Sequence, residues 1–330
     1  MAKPSQDPGP PRLLVTELWG LGDLALALPF LHQAAARMRV TLVAKPHAAP
    51  LLARFAPDVE LVAFTAPWTA FAGKYRLHRW PWRELSRLRR ELRARSFAIG
   101  VSARPDPRDH LLLALAGAPR RIGFPRAGSR LLLTEPLTPP TRPHRAEHWR
   151  ALASALGWES NEILDFGSRI ADSTIDRTHN PKPKTQNPKS SARRVVIHTG
   201  AGHPVRLWPA ERFAALAERL RAAGWEVVML DDSLRDLDRL LDTLAGAARF
   251  IGNDSGPGHL AALLGVPTFT IFGPQLPELF SPQHPQAAWI EGAPCPYKPC
   301  FDSCRFPEPY CIREISVEAV WSRVAPWLQR

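Results

Sequence analysis

Arg12-Leu-Leu-Val-Thr-Glu-Leu-Trp-Gly-Leu-Gly-Asp-Leu-Ala-Leu-Ala-Leu-Pro29 is the stretch that decides the fold. Its first six residues are an apolar run of strand length, and Trp19-Gly-Leu-Gly-Asp23 is a turn. Leu24 to Met38 then carries apolar residues at helical spacing. A buried strand turning sharply into a helix is the opening unit of a parallel α/β sheet. Glu17, Gly20, Gly22, Asp23 and Pro29 interrupt the run too often for a membrane span.

Working outward, the alternation continues. Val40 to Ala44 reads as a second strand, Pro81 to Arg95 as a basic helix and Phe97 to Val101 as a strand. Leu111 to Ala116 and Arg121 to Phe124 prolong the pattern, and His148 to Leu156 reads as a helix. Residues 171–193 are dominated by Asp, Ser, Thr, Asn, Pro and Lys and read as a linker. A second series follows: strands Arg194 to His198, Glu226 to Leu230, Ala248 to Gly252 and Thr268 to Phe272. Helices Ala210 to Ala223, Ser233 to Leu244, His259 to Leu264 and Val317 to Leu328 alternate with them. The expectation is an α/β protein of two doubly wound domains: residues 1–170, then 194–313 after the linker, closed by a helix within 314–330. Such sheets bind ligands beyond the carboxyl ends of their strands.

The chain has 330 residues, enough for two cores, and a net charge of +12. Residues 1–170 hold 25 Lys and Arg against 14 Asp and Glu, whereas the remainder holds 18 against 17. A basic first half suits an acidic partner, although an Arg-favouring genome gives the same bias. The Pro-rich start has no apolar core behind a basic head, so no signal peptide is expected and the protein reads as intracellular.

Gly20-x-Gly22-x-x-Ala25 has the spacing of a dinucleotide fingerprint. Asp23 would repel a pyrophosphate there, and Lys45 stands where an acidic residue should close the second strand. Asp23 can instead be a helix cap, or a general base whose charge the helix N-terminus stabilises. In the second half, a strand runs into Thr199-Gly-Ala-Gly202, with Arg206 beyond, a fork for phosphate oxygens. Gly252-Asn-Asp-Ser-Gly-Pro-Gly-His259 ends another strand and opens a helix toward an anion. There Asp254 and Ser255 either hold a ribose or cap the helix, and His259 is either a site residue or packed.

Cys295, Cys300, Cys304 and Cys311 lie close together, in the pattern of a tetrathiolate zinc or iron site. Free thiols or a disulfide pair are the other readings. Lys74, Arg76, Arg79, Arg83, Arg87, Arg89, Arg90, Arg93 and Arg95 surround Trp80 and Trp82, opposed by Glu84 and Glu91. This reads as a membrane-surface or anionic-glycan contact, or as a solvated helix face. No nucleic-acid-binding signature accompanies the charge, so no nucleic acid is expected as a partner.

Taken in order, these motifs resemble the heptosyltransferase family of glycosyltransferases. Leu14 to Pro29 resembles the family's opening strand, loop and helix. Leu115 to Phe124 and His144-Arg-Ala-Glu-His148 resemble its later first-domain signatures. Gly200-Ala-Gly with Trp208-Pro209, and Gly252 to His259, resemble its donor loops, and Phe272-Gly-Pro274 with Cys311 to Ser316 completes the order. The resemblance implies the GT-B fold, two Rossmann-like domains with the last helix packing back on the first. It implies an inverting, metal-independent transfer of heptose from an ADP-sugar to a hydroxyl of the lipopolysaccharide core. Asp23 would be the base, with Gly20, Gly22 and Arg104 on the acceptor side. Gly200, Gly202, Arg206, Asp254, Ser255, Gly256 and His259 would hold the donor, with Arg206 where the family usually has a Lys. No catalytic cofactor is implied, and zinc or iron on the cysteines would be structural. The setting implied is the cytoplasm, peripheral at the inner membrane face, beside an acidic glycolipid.

One departure bears on activity. After Leu230 the family normally has a Gly-Gly loop with an acidic residue, then a further helix and strand. Here Asp231-Asp232 leads almost directly into the next helix, so the donor domain is expected to lack one βα unit. The rival readings are a non-catalytic glycan- or nucleotide-binding relative, and a transferase acting on a protein acceptor.

Overall fold

The computed structural model describes residues 10–70, 75–159, 193–234 and 236–330. Of the expected linker only Arg193 falls among these, and Lys74 and most of the leader lie outside them. The chain divides into two compact units, Met1–Ile163 and Leu164–Arg330.

In the first unit, β1 (Arg12–Glu17) is buried along nearly its whole length, because strands flank it on both edges and helices cover both faces. It is followed by α1 (Leu21–Ala35), β2 (Arg39–Ala44), α2 (Ala48–Phe55), β3 (Glu60–Ala63), α3 (Trp82–Ala94) and β4 (Ile99–Ser102). Then come α4 (Pro107–Leu115), β5 (Arg120–Gly123), a two-residue β6 (Glu135–Pro136) and α5 (Arg145–Ala155). All pairings are parallel, in the order β3-β2-β1-β4-β5-β6. That is the dinucleotide-fold order, with its reversal between β1 and β4. Leu111 to Ala116, which prolonged the alternation in sequence, falls at the end of α4, whose start is set by Asp106: its carboxylate accepts the Arg108 N–H. α2 and β3 leave little periodic signal in the sequence, because the helix contains Pro50 and the strand is only four residues long.

The second unit runs β7 (Arg194–His198), α6 (Ala210–Ala222), β8 (Glu226–Leu230), α7 (Leu237–Ala245), β9 (Arg249–Asn253) and α8 (Gly256–Leu263). It continues through β10 (Thr268–Phe272), the short α9 (Pro277–Phe280), β11 (Ala288–Glu291), the short α10 (Tyr310–Arg313) and α11 (Val317–Trp327). The parallel order is β11-β10-β9-β7-β8. It matches the first sheet with the outermost strand beyond β8 left out, and the chain crosses from β8 through α7 directly to β9. The βα unit expected to be missing after Asp231-Asp232 is accordingly absent among the described residues: β8 ends the sheet where β2 is followed by β3.

α11 was expected to pack back on the first domain. Its buried face, Val320, Val324 and Trp327, is given to the second unit's own core beside Phe269 and Ile290. Trp327 packs 5.7 Å from Phe269, and its Nε1–H donates to the carbonyl of Gln286 at 2.8 Å.

Candidate functional site

In the first unit, the side chains that carry chemistry gather past the carboxyl ends of β1 and β4, on either side of the strand-order reversal. Gly20 is the N-cap of α1, and Gly22 lies in its first turn. Asp23 is not the N-cap itself but the third helical residue, and its Oδ2 accepts the N–H of the cap residue Gly20 at 3.2 Å. Its other oxygen meets Arg104 Nη2 at 2.5 Å, and the two side chains are only 20% and 16% exposed. The structure thus brings together three of the predicted residues, Gly20, Asp23 and Arg104.

Residues not anticipated as site residues complete the cluster. Glu17, at the last position of β1, is buried and accepts the Trp19 N–H at 3.1 Å. Asp109 in α4 is fully buried and accepts from Trp68 Nε1 at 2.8 Å and Trp19 Nε1 at 3.3 Å. Trp19 in turn carries the Arg104 guanidinium on its face, 4.8 Å from the ring centre. Arg145 opens α5, which His144 caps by accepting the Ala146 N–H. Glu17 could have been suspected as a carboxylate ending an apolar strand, and Arg145 lies inside the motif quoted above. Nothing in the local sequence of Asp109 marks it.

The three carboxyls titrate apart. Burial, with Asp23 and Asp109 nearby, drives Glu17 up to about 8. Burial and Asp106 drive Asp109 up to about 7. Burial pushes Asp23 up as well, but Arg104 and Arg145 outweigh it and hold Asp23 below its ordinary value. Burial and the neighbouring Arg104 lower Arg145 to about 10. At neutral pH, Glu17 is therefore mostly a neutral acid, and Asp23 is the carboxylate that stays ionised. Lys45, lowered by burial yet drawn upward by Asp23 and Glu17, adds a cation. Asp109, raised to about 7, is about half ionised at neutral pH, and the three cations still leave the balance positive, which suits an acidic ligand whose hydroxyl must lose a proton.

In the second unit, the loops after β7 and β9 meet at that sheet's own reversal. Asn253 ties them together: its Oδ1 accepts the Trp208 N–H at 3.0 Å, and its Nδ2 donates to the carbonyl of Thr199 at 2.8 Å. Trp208 is buried and donates to the carbonyl of Ile315 at 2.8 Å. A methyl group at Gly200 would meet the carboxylate of Asp232, an exposed side chain that can swing aside. That carboxylate accepts the Ala201 N–H at 3.2 Å, and Gly202 beside it opens on free space. Gly256 begins α8 and Ser255 is its N-cap, but Ser255 Oγ turns back to the carbonyl of Asn253 and caps nothing. His259 is buried in the first turn of α8, as a packed histidine would be.

Arg206 is already engaged. It grips Asp302 through Nε at 2.6 Å and Nη2 at 2.7 Å, and reaches Asp254 through Nη1 at 3.3 Å. Asp254 thus shares the charge of Arg206 with Asp302. Asp302, in the cysteine-rich loop, was not anticipated.

Cys295, Cys300, Cys304 and Cys311 all line one small cavity, with Lys298 and Tyr310, and all are free thiols. Burial pushes the Cys311 thiol up to about 11, and burial followed by neighbouring Cys304 raises Cys300. Four soft donors around one cavity suit zinc or iron chemically. Among the described residues, however, no three His, Cys, Asp or Glu side chains are set for a metal ion. No helix of the described residues is long and apolar enough to cross a membrane.

Comparison with known proteins places this geometry. A model described as glycosyltransferase family 9 (heptosyltransferase) matches residues 85–233 and 234–310, and the break falls at the turn after β8. Lipopolysaccharide heptosyltransferase 1 of Pseudomonas aeruginosa is 30% identical over 127 residues, 32% of this chain; the match spans 35% of that relative's length. Among solved structures, E. coli ADP-heptose lipopolysaccharide heptosyltransferase II is 18% identical, with a TM-score of 0.66, covering 97% of this chain and 98% of that one. E. coli heptosyltransferase WaaC with ADP is 16% identical, with a TM-score of 0.70, covering 96% and 99%. An iron-containing dodecameric glycosyltransferase, TibC from enterotoxigenic E. coli, is 16% identical at a TM-score of 0.55, covering 97% and 77%. At these identities the structural likeness establishes the fold, that of the GT-B heptosyltransferases.

Proposed function

The chain belongs to glycosyltransferase family 9, and from that premise we propose that it transfers heptose from an ADP-sugar to a hydroxyl of a lipopolysaccharide-core acceptor. The observation that carries the reading is the sorting of charge around Asp23. The carboxyls of Glu17 and Asp109 rise while Asp23 stays ionised, clamped between the Gly20 N–H and Arg104. In the proposed step Asp23 takes the acceptor's hydroxyl proton as that oxygen attacks the anomeric carbon. The bond from this carbon to the diphosphate oxygen breaks with inversion, and ADP leaves. Arg104 and Arg145 bind the acidic acceptor and fix Asp23. The N–H groups opening α8 at Gly256, together with Arg206 and the open backbone of Gly202, receive the diphosphate once Asp232 swings away from Gly200. Asp254, Ser255 and His259 line the same donor loop. The location that goes with this chemistry is the cytoplasmic face of the membrane.

The four thiols would hold a structural zinc or iron ion that staples the Pro-rich loop, and their side chains would have to rotate to close on it. The transfer step uses no part of this ion.

A second reading rests on Arg206. Because Asp302 and Asp254 already satisfy it, a diphosphate must displace a carboxylate to use it, as a glycan- or nucleotide-binding relative without turnover would tolerate. Calorimetric titration with ADP, UDP and GDP, followed by an ADP-heptose assay of wild type and Asp23→Asn, separates the two. Transfer requires preferential ADP binding, with turnover lost by a factor of about 10²–10⁴ in Asp23→Asn while ADP binding persists. ADP binding without turnover by wild type supports the second reading, and no nucleotide binding refutes both donor sites.

A further inference from the structure

The surface of α3 and the turn before it has no role in the chemistry above. Of this helix only Leu88 and Leu92 are buried. At about 100° per residue, Arg89, Trp82, Arg93, Arg90, Arg83 and Arg87 fall on one arc of roughly 160°, and no acidic residue shares it. Glu84 and Glu91 lie together just past one edge of that arc. These five arginines, with Arg76 and Arg79 in the preceding turn, are exposed, and none forms an ion pair with a carboxylate among the described residues. Arg95, at the helix end, is the exception, paired with Glu60 and Glu91.

Large apolar side chains are exposed in the same place: Tyr75 at 77%, Leu77 at 55% and Trp82 at 54%. Trp82 is held in place. Trp82 Nε1–H donates to the carbonyl of Leu77 at 2.9 Å. The rings of Trp68, Trp80 and Trp82 form a ladder with centres 5.5 and 5.6 Å apart, running from the core to the surface. Trp68, at its inner end, is anchored on Asp109. A fixed aromatic and a leucine set among unpaired guanidiniums match a surface that offers anionic groups above an apolar layer. A polyanion in water would use the charge and leave the apolar groups wet.

We propose that this face, carried by Trp82, Leu77 and the arginines Arg83, Arg87, Arg89, Arg90 and Arg93, docks the protein on an anionic phospholipid bilayer. The inference needs no turnover, so it fails or stands separately from the transferase reading.

The test is sedimentation of the full-length protein with vesicles of phosphatidylcholine alone or mixed with phosphatidylglycerol, at low and high salt. The expected result is binding to the mixed vesicles only, lost in high salt. The triple variant R83Q/R87Q/R90Q should bind the mixed vesicles about a hundredfold more weakly, since each surface arginine is worth roughly fivefold. W82S should weaken binding about tenfold at unchanged charge. All four positions are exposed, and matching circular dichroism melts show that the variants fold. Equal binding to neutral vesicles, or a triple variant that binds like wild type, overturns the proposal. So does a protein that ignores anionic vesicles yet is retained by heparin or DNA, because the face then takes a polyanion.

Discussion

Replacing Glu17 with glutamine tests the charge sorting at its most buried member. The carboxyl is raised from 4.5 to about 8, chiefly by burial. At about 1.4 kcal/mol for each tenfold in the proton equilibrium, ionising it weighs roughly 4–5 kcal/mol against the folded state. The sign follows from proton counting. Between pH 4.5 and about 8 the folded chain keeps a proton that the unfolded chain has released, so stability falls as pH rises through that window. Below it the contribution vanishes, and above pH 8 the loss is complete. Glutamine keeps an oxygen for the Trp19 N–H and cannot ionise. Urea unfolding at acidic and alkaline pH, read by pulse-labelled hydrogen exchange in peptides covering β1, isolates the first unit. Wild type should lose roughly 4 kcal/mol more than Glu17→Gln between about pH 5 and pH 9. Asp109→Asn should remove a further loss of the same sign that is complete about one pH unit lower, since Asp109 is raised to about 7. Parallel pH–stability curves for wild type and Glu17→Gln would refute the account and return Glu17 to being an ordinary ionised carboxylate.

Three other outcomes are expected. Arg206→Ala should weaken ADP binding about tenfold, whereas Asp302→Asn, which releases the guanidinium from its fork, should tighten it severalfold; equal effects in calorimetry would exclude Arg206 from the donor site. Gly292→Ala places a methyl group on the carbonyl oxygen of Cys311, while Gly202→Ala meets nothing within 4 Å. Thermal melts should therefore fall by several degrees for the first and by less than about 2 °C for the second. Elemental analysis of protein purified under reducing conditions should find about one zinc or iron per chain, lost in Cys300→Ser/Cys304→Ser; metal-free wild type would leave the cavity lined by four thiols and nothing more.

How much of this was legible in the sequence depended on the range of the interaction involved. Strand-length apolar runs such as Leu13 to Val15, and helical spacing such as that in α1, are local, so the doubly wound class and the two units could be read directly. The missing βα unit was legible too, because Asp231-Asp232 runs into a helix with no room for another strand. Asp23 was marked by two flanking glycines at a helix start, and Arg206 by its place after a glycine loop. The tertiary structure decided the rest. Asp109 becomes a site residue only because α4 carries it, 90 residues from Trp19, under the ring that supports Arg104. Asp302 neutralises Arg206 from 96 residues away. Glu17 is acidic in any sequence, and only the closure of strands and helices around it turns it into a neutral acid near pH 7. Charge states and ion pairs depend on burial and on distance in space, which no local pattern carries; strands and helices depend on the order of the residues themselves.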